Sequence, residues 1–117
     1  MTVQESYAKM GADYDDVVSR LRTDDRIKRF LQMVVKDQSF NTLCTTLAEH
    51  NMEEAFRAGH TLKGLSANLS LTKLCKSATA ITEALRGRTE YGEDLVPLLE
   101  QVRADYELTM ECINSID

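Results

Sequence analysis

Apolar residues recur at three- and four-residue intervals along almost all of this 117-residue chain, which has one proline and five glycines to interrupt them. That spacing gathers them on one side of successive helices, because about 3.6 residues complete a turn. No stretch alternates apolar and polar convincingly enough for a half-buried strand. The chain is therefore expected to be all-α. Val3, Tyr7 and Met10 share a face of an opening helix that stops at Gly11, and Tyr14, Val17, Val18 and Leu21 follow from Asp13. The doublet Asp24-Asp25 is expected to supply the N-cap and first-turn negative charge of a helix carrying Ile27, Phe30, Leu31, Val34 and Val35. That helix ends or kinks near Asp37-Gln38-Ser39, and Phe40, Leu43, Cys44, Leu47 and Ala48 extend the stripe to a polar turn at Glu49-His50-Asn51.

Asn51, with Glu54 three residues on, forms a capping-box variant that opens the next helix. Its register breaks at Ser70. A new stripe then runs through Leu71, Leu74, Cys75, Ala78, Ile81 and Leu85, and Arg86-Gly87 closes it with a cation and a C-cap. The last helix starts around Gly92-Glu93-Asp94, tolerates Pro97 in its first turn and carries Leu95, Leu98, Leu99, Val102, Tyr106, Thr109 and Ile113. Four of these helices are long enough to pack side by side, and short connections favour antiparallel neighbours. The expected architecture is an antiparallel four-helix bundle with additional short N-terminal helices, forming a single domain over residues 1–117.

A net charge of −5 offers no clustered basic surface for nucleic acid or an anionic membrane, so neither is an expected partner. The N-terminal residues lack a basic start and an apolar run, and no stretch approaches the roughly 20 apolar residues of a membrane helix. A cytoplasmic protein is expected. Cys44, Cys75 and Cys112 are odd in number, far apart and at apolar helical positions, which suits packed thiols better than disulfides or a metal site.

His60 stands apart from the apolar pattern. Its helix buries Ala55, Ala58, Gly59, Leu62, Leu65, Ser66 and Leu69, and at roughly 100° per residue His60 points about 160° from the middle of that stripe. Gly64, one turn on, and Ala67, two turns on, leave almost no side chain beside the ring. A helical glycine costs about 1 kcal/mol relative to alanine, and access to the imidazole is a reason to carry one here. Neutral imidazole is a nucleophile that can take a phosphoryl group. Such transfer needs positioning and charge compensation more than acid–base machinery. Lys63 at i+3 is placed to provide the cation, with Arg57 at i−3 as a second candidate. Phe56 at i−4 is either half-buried against a neighbouring helix or part of a protein docking patch. No phosphate-binding loop, dinucleotide fingerprint or Asp cluster for Mg²⁺ is present, so neither an ATP-binding nor an autokinase site is expected.

The run Ala58-Gly59-His60-Thr61-Leu62-Lys63-Gly64-Leu65-Ser66-Ala67-Asn68-Leu69 resembles the signature of histidine-containing phosphotransfer domains, a histidine followed by x-Leu-Lys-Gly, small residues and Leu. The resemblance implies a small four-helix bundle with this motif on a central helix. It further implies His60 as phosphoacceptor, Lys63 as the cation near the phosphoryl group and Gly64 as the opening. Phe56, Arg57 and Ala67 are then the candidate partner-binding residues. Members shuttle phosphoryl groups between receiver-domain aspartates in phosphorelays, so the implied partners are receiver domains of response regulators and a hybrid sensor histidine kinase. The receiver supplies Mg²⁺, and the chain itself needs no cofactor or metal. A monomeric phosphocarrier, and not an enzyme, is expected.

Two positions depart from the family pattern. Ser70 stands where the family usually has Gly, and its hydroxyl is expected to cap the next element through a slightly different turn. Leu65 replaces a smaller residue and is expected to affect packing beneath the site only. His50 serves as a comparison: it lies near a helix end, lacks small neighbours and is expected to interact with C-terminal carbonyls. Two other functions stand beside the phosphocarrier. A non-phosphorylated adaptor bundle would bind a receiver or kinase without using His60. A metal-binding bundle would need Glu-x-x-His pairs, whereas Arg57 occupies i−3 and only one other histidine exists.

Overall fold

The computed structural model describes residues 1–117 and is entirely helical: α1 (Val3–Lys9), α2 (Tyr14–Leu21), α3 (Asp24–Lys36), α4 (Ser39–Ala48), α5 (Met52–Asn68), α6 (Thr72–Leu85) and α7 (Leu95–Asn114). Local chemistry starts most of these helices. Thr2 and Glu5 close a reciprocal capping box on α1, with the Glu5 N–H donating to Thr2 Oγ1 (3.1 Å) and the Thr2 N–H to Glu5 Oε1 (2.9 Å). The Asp13 carboxylate caps α2 by accepting from the Asp16 N–H. On α3 the cap is Thr23, whose hydroxyl accepts from the Arg26 N–H; Asp24 and Asp25 are helical and supply first-turn charge alone, contrary to the expectation that the doublet would cap. Asn51 Oδ1 accepts from the Glu54 N–H (3.2 Å) at the start of α5, but Asn51 gives its own N–H to Thr46 O, so only half of a capping box forms.

The bundle is built from α4, α5, α6 and α7, with α3 continuing its fourth edge. Gly59 meets Thr82, and the Lys63 carbonyl meets the Cys75 thiol, so α5 and α6 run antiparallel. Phe40 stacks on Tyr106 (4.3 Å), with Arg103 reaching Cys44 one turn away, which closes α4 against α7 in the same sense. The chain breaks at Asp37-Gln38, letting α3 turn away to pack on α7, α2 and α1. One continuous apolar core of 24 buried residues draws on all seven helices. Phe30 departs from its expected core position and stands 41% exposed on the outer side of α3. All three cysteines are free thiols, Cys112 buried and the others half-buried. No helix is long and apolar enough to cross a membrane.

The two N-terminal helices brace the end of α5. Tyr7 donates its hydroxyl to the Leu69 carbonyl (2.8 Å) from inside the core. From α2, Arg20 donates to the Asn68 carbonyl (2.9 Å) and pairs with Asp16 (2.7 Å), and Asp16 accepts from the Ser70 hydroxyl (2.6 Å). These bonds occupy carbonyls that a helix C-terminus leaves without partners. Ser70 takes the left-handed conformation (φ +56°) that glycine would adopt more easily at this turn. Its hydroxyl reaches back to α2 instead of capping α6, which begins after Leu71 without a side-chain cap.

Candidate functional site

α5 presents its small and apolar residues inward, with Ala55, Ala58, Gly59, Leu62 and Ser66 buried and His60, Thr61, Gly64 and Ala67 exposed. Leu62 is sealed beneath the site, so the ring two residues earlier is carried on a fixed floor. The exposed Thr61 gives its hydroxyl to the Arg57 carbonyl one turn back (3.0 Å), which leaves His60 and Lys63 as the functional groups beside Gly64. A Cβ built at Gly64 would have no atom within 4 Å, so the wall beside His60 is open to solvent. Leu65 is half-buried against the core.

The two glycines of α5 do opposite things. Gly64 faces outward into open space, while Gly59 faces α6 where a Cβ would come to 2.7 Å from Thr82 Oγ1. Thr82 cannot simply yield, because it is buried and its hydroxyl donates to the Ala78 carbonyl (2.6 Å). The close approach at Gly59 sets α6 tightly beside the histidine.

The two candidate cations also separate. Arg57 is held by Glu53 (2.9 Å) and Glu54 (3.1 Å), which turns its guanidinium toward the N-terminus of α5. No carboxylate comes within ion-pair distance of Lys63, so its half-buried stem ends in an uncommitted ammonium. Phe56 is half-buried against the core, and its ring lies near-parallel to His60, 6.0 Å between centroids and 20° between planes. Arg86, at the end of α6, lies over the same phenyl ring at 5.1 Å. Glu83 holds Arg86 through two hydrogen bonds, and that partner, followed by the more distant Lys63 and His60, keeps its carboxyl below the usual carboxylate range.

Sequence reasoning had Arg86 only as a helix-closing cation and had no role for Glu83 or Thr82. The i, i+3 spacing of Glu83 and Arg86 puts them together on α6, but which face of α6 lies beside His60 depends on the register between helices. Gly59 in the apolar stripe was the available signal for a close approach there. His50, the comparison residue, reaches the α4 carbonyls only through its backbone N–H, which donates to Leu47 O (3.0 Å); its backbone is left-handed (φ +59°) and its ring stacks on Tyr91 at 4.2 Å. Among Cys, His, Asp and Glu no group of three or more is arranged to hold a metal ion.

An exposed imidazole on a rigid helix, with a free ammonium one turn away and an open wall, can offer a ring nitrogen to an electrophile carried on another molecule. Comparison with curated proteins and with solved structures gives no significant match. The family model of the Hpt domain matches residues 27–111, from the first core residue of α3 into the last turns of α7, leaving α1 and α2 outside. Domains of this family are phosphocarriers in place of kinases, and their partners are the receiver and kinase domains of two-component systems. With a match across well over half its length and the helical bundle the family requires, the chain belongs to the Hpt domain family and takes part in histidine phosphotransfer.

Proposed function

We propose that His60 is the phosphoacceptor, taking a phosphoryl group from a receiver-domain phosphoaspartate or from a hybrid histidine kinase and passing it to the receiver domain of a response regulator. The observation that carries this reading is the open wall at Gly64 beside an exposed His60, within the motif that marks the family. In the forward step the lone pair of a ring nitrogen forms the N–P bond as the P–O bond of the acyl phosphate breaks. The electron pair leaves with the aspartate carboxylate, and the second ring nitrogen keeps its proton. Charge accumulates on the moving phosphoryl oxygens, and Lys63 is the uncommitted cation within reach of them. Any Mg²⁺ that the transfer uses would be held by the carboxylates of the receiver domain, where it would offset charge on the phosphoryl oxygens.

Phe56 and Ala67 lie on either side of His60 along α5, and the exposed Arg57 borders a shallow depression of about 290 Å³ against Asp37, Ser39 and Thr42. These residues form the near surface on which a receiver domain would settle. Transfer from a phosphorylated receiver domain in Mg²⁺ tests the reading. The chain is expected to acquire a label that alkali preserves and acid removes, and His60→Gln to acquire none. Lys63→Ala is expected to slow transfer about 10- to 100-fold with docking affinity little changed, the pattern of a group used in the transition state. Undiminished label on His60→Gln would place the carried group on another residue, and a wild-type chain that binds the receiver without taking label would favour an adaptor.

A further inference from the structure

The α6 flank of His60 carries a pair of opposite charges that simple acceptance of a phosphoryl group does not require. Because α5 and α6 touch at Gly59 and Thr82, the residues next in line, His60 and Glu83, border the same groove mouth. Glu83 accepts from Arg86 Nε (3.2 Å) and from its terminal nitrogen (2.9 Å). The guanidinium so held lies 5.1 Å over Phe56, whose ring also lies near-parallel to that of His60. Both side chains of the pair are about half exposed, 56% for Arg86 and 51% for Glu83, so neither is locked by packing.

The charge balance of this corner changes when His60 is loaded. A phosphoryl group brings roughly −1.5 to −2 charges and three acceptor oxygens. A planar guanidinium matches those oxygens as well as it matches a carboxylate, whereas Glu83 is repelled by them. We propose that Glu83 and Arg86 form a charge exchange that sets how firmly His60 holds its phosphoryl group. Arg86 rests on Glu83 while the imidazole is bare and turns to the phosphoryl oxygens when it is loaded. Glu83, released, then acts as a like charge that favours passing the group on. The inference rests on His60 being the phosphoacceptor. It makes Arg86 a binding group for the retained phosphoryl oxygens and Glu83 a positioning residue that acts through it, both on the transfer equilibrium.

The test is the fraction of label on this chain at equilibrium with a phosphorylated receiver domain in Mg²⁺, at low and high salt. Glu83→Gln removes the repulsion and frees Arg86, and is expected to raise the equilibrium constant for loading His60 about three- to tenfold at low salt. Arg86→Gln is expected to lower it by a similar factor, and the double variant to fall between. High salt is expected to compress all of these differences, because the groups are exposed. Circular dichroism of each variant checks that helix content is retained, and a purely structural role would not move the equilibrium in opposite directions. Equal constants for wild type and Glu83→Gln, or a lower one for Glu83→Gln, would overturn the proposal while leaving His60 as carrier. A wild-type chain that takes no label would overturn the carrier reading and this inference with it.

Discussion

At the scale of single residues, the two glycines of α5 make separable demands on the fold and on the chemistry. A Cβ at Gly64 would stand in open space, so Gly64→Ala is expected to raise stability by up to about 1 kcal/mol through helix propensity, read as a higher midpoint in urea. The larger Gly64→Leu should fold equally well and transfer more slowly, because its side chain stands in the approach to His60. Gly59→Ala reverses the pattern: the added Cβ meets Thr82 Oγ1 at 2.7 Å and is expected to cost about 1–3 kcal/mol. A Gly64→Leu protein with wild-type transfer rates would count against access as the reason for that glycine. The outward placement of His60 and Gly64, with Lys63 beside them, was legible from the sequence because all three lie on one helix, where spacing alone fixes direction. Glu83 and Arg86 were not, because their place beside His60 is set by how deeply Gly59 lets α6 approach. Arg57 shows the same limit: spacing put it near the histidine, but Glu53 and Glu54 claim its charge.

Among the elements, the end of α5 is the most heavily braced, and its brace is ionic. Hydrogen bonding from Ser70, with Arg20 beside it, keeps the Asp16 carboxyl below the ordinary value of 3.8. A carboxyl whose folded pKa is depressed adds stability that is complete above the unfolded value and fades as pH falls through the folded one. Asp16→Asn is therefore expected to flatten the loss of stability between about pH 5 and pH 2, seen as urea midpoints that converge with wild type at the acid end. Parallel curves would show that the Asp16 contact contributes nothing to holding the helix end. The helices themselves and most of their ends were legible, since caps such as Asp13 and Asn51 act within one turn of sequence. The brace was not, because Asp16 and Ser70 are 54 positions apart and nothing local announces that they meet. The serine at 70 acquires a reason only when α2 is in place: it takes the left-handed turn, and its hydroxyl ties that turn to Asp16.

For the whole molecule, the family match stops short of α1 and α2, yet the core does not. Val3, Tyr7, Met10 and Val17 are buried in the same apolar cluster as the four bundle helices, and Tyr7 bonds directly to the end of the helix that carries His60. The chain is accordingly expected to unfold in one cooperative transition, with far-ultraviolet circular dichroism and tyrosine fluorescence giving the same midpoint. A separate early transition for the N-terminal helices would show that the brace is detachable. The sequence pattern revealed a bundle with short helices before it, but periodicity does not say where those helices dock. Their contacts instead make the first 21 residues part of the support for the site.

One ring nitrogen of His60 is the proposed carrier, and the chain's second histidine, His50, provides the internal control. The decisive measurement is a nitrogen–phosphorus correlation spectrum of protein carrying ¹⁵N-labelled histidine, mixed with a phosphorylated receiver domain and Mg²⁺. One His60 ring nitrogen is expected to shift and couple to phosphorus, while His50, stacked on Tyr91, stays where it was. Coupling at His50, or no coupling at either ring while the receiver loses its phosphoryl group to water, would contradict the assignment of His60 as the carrier.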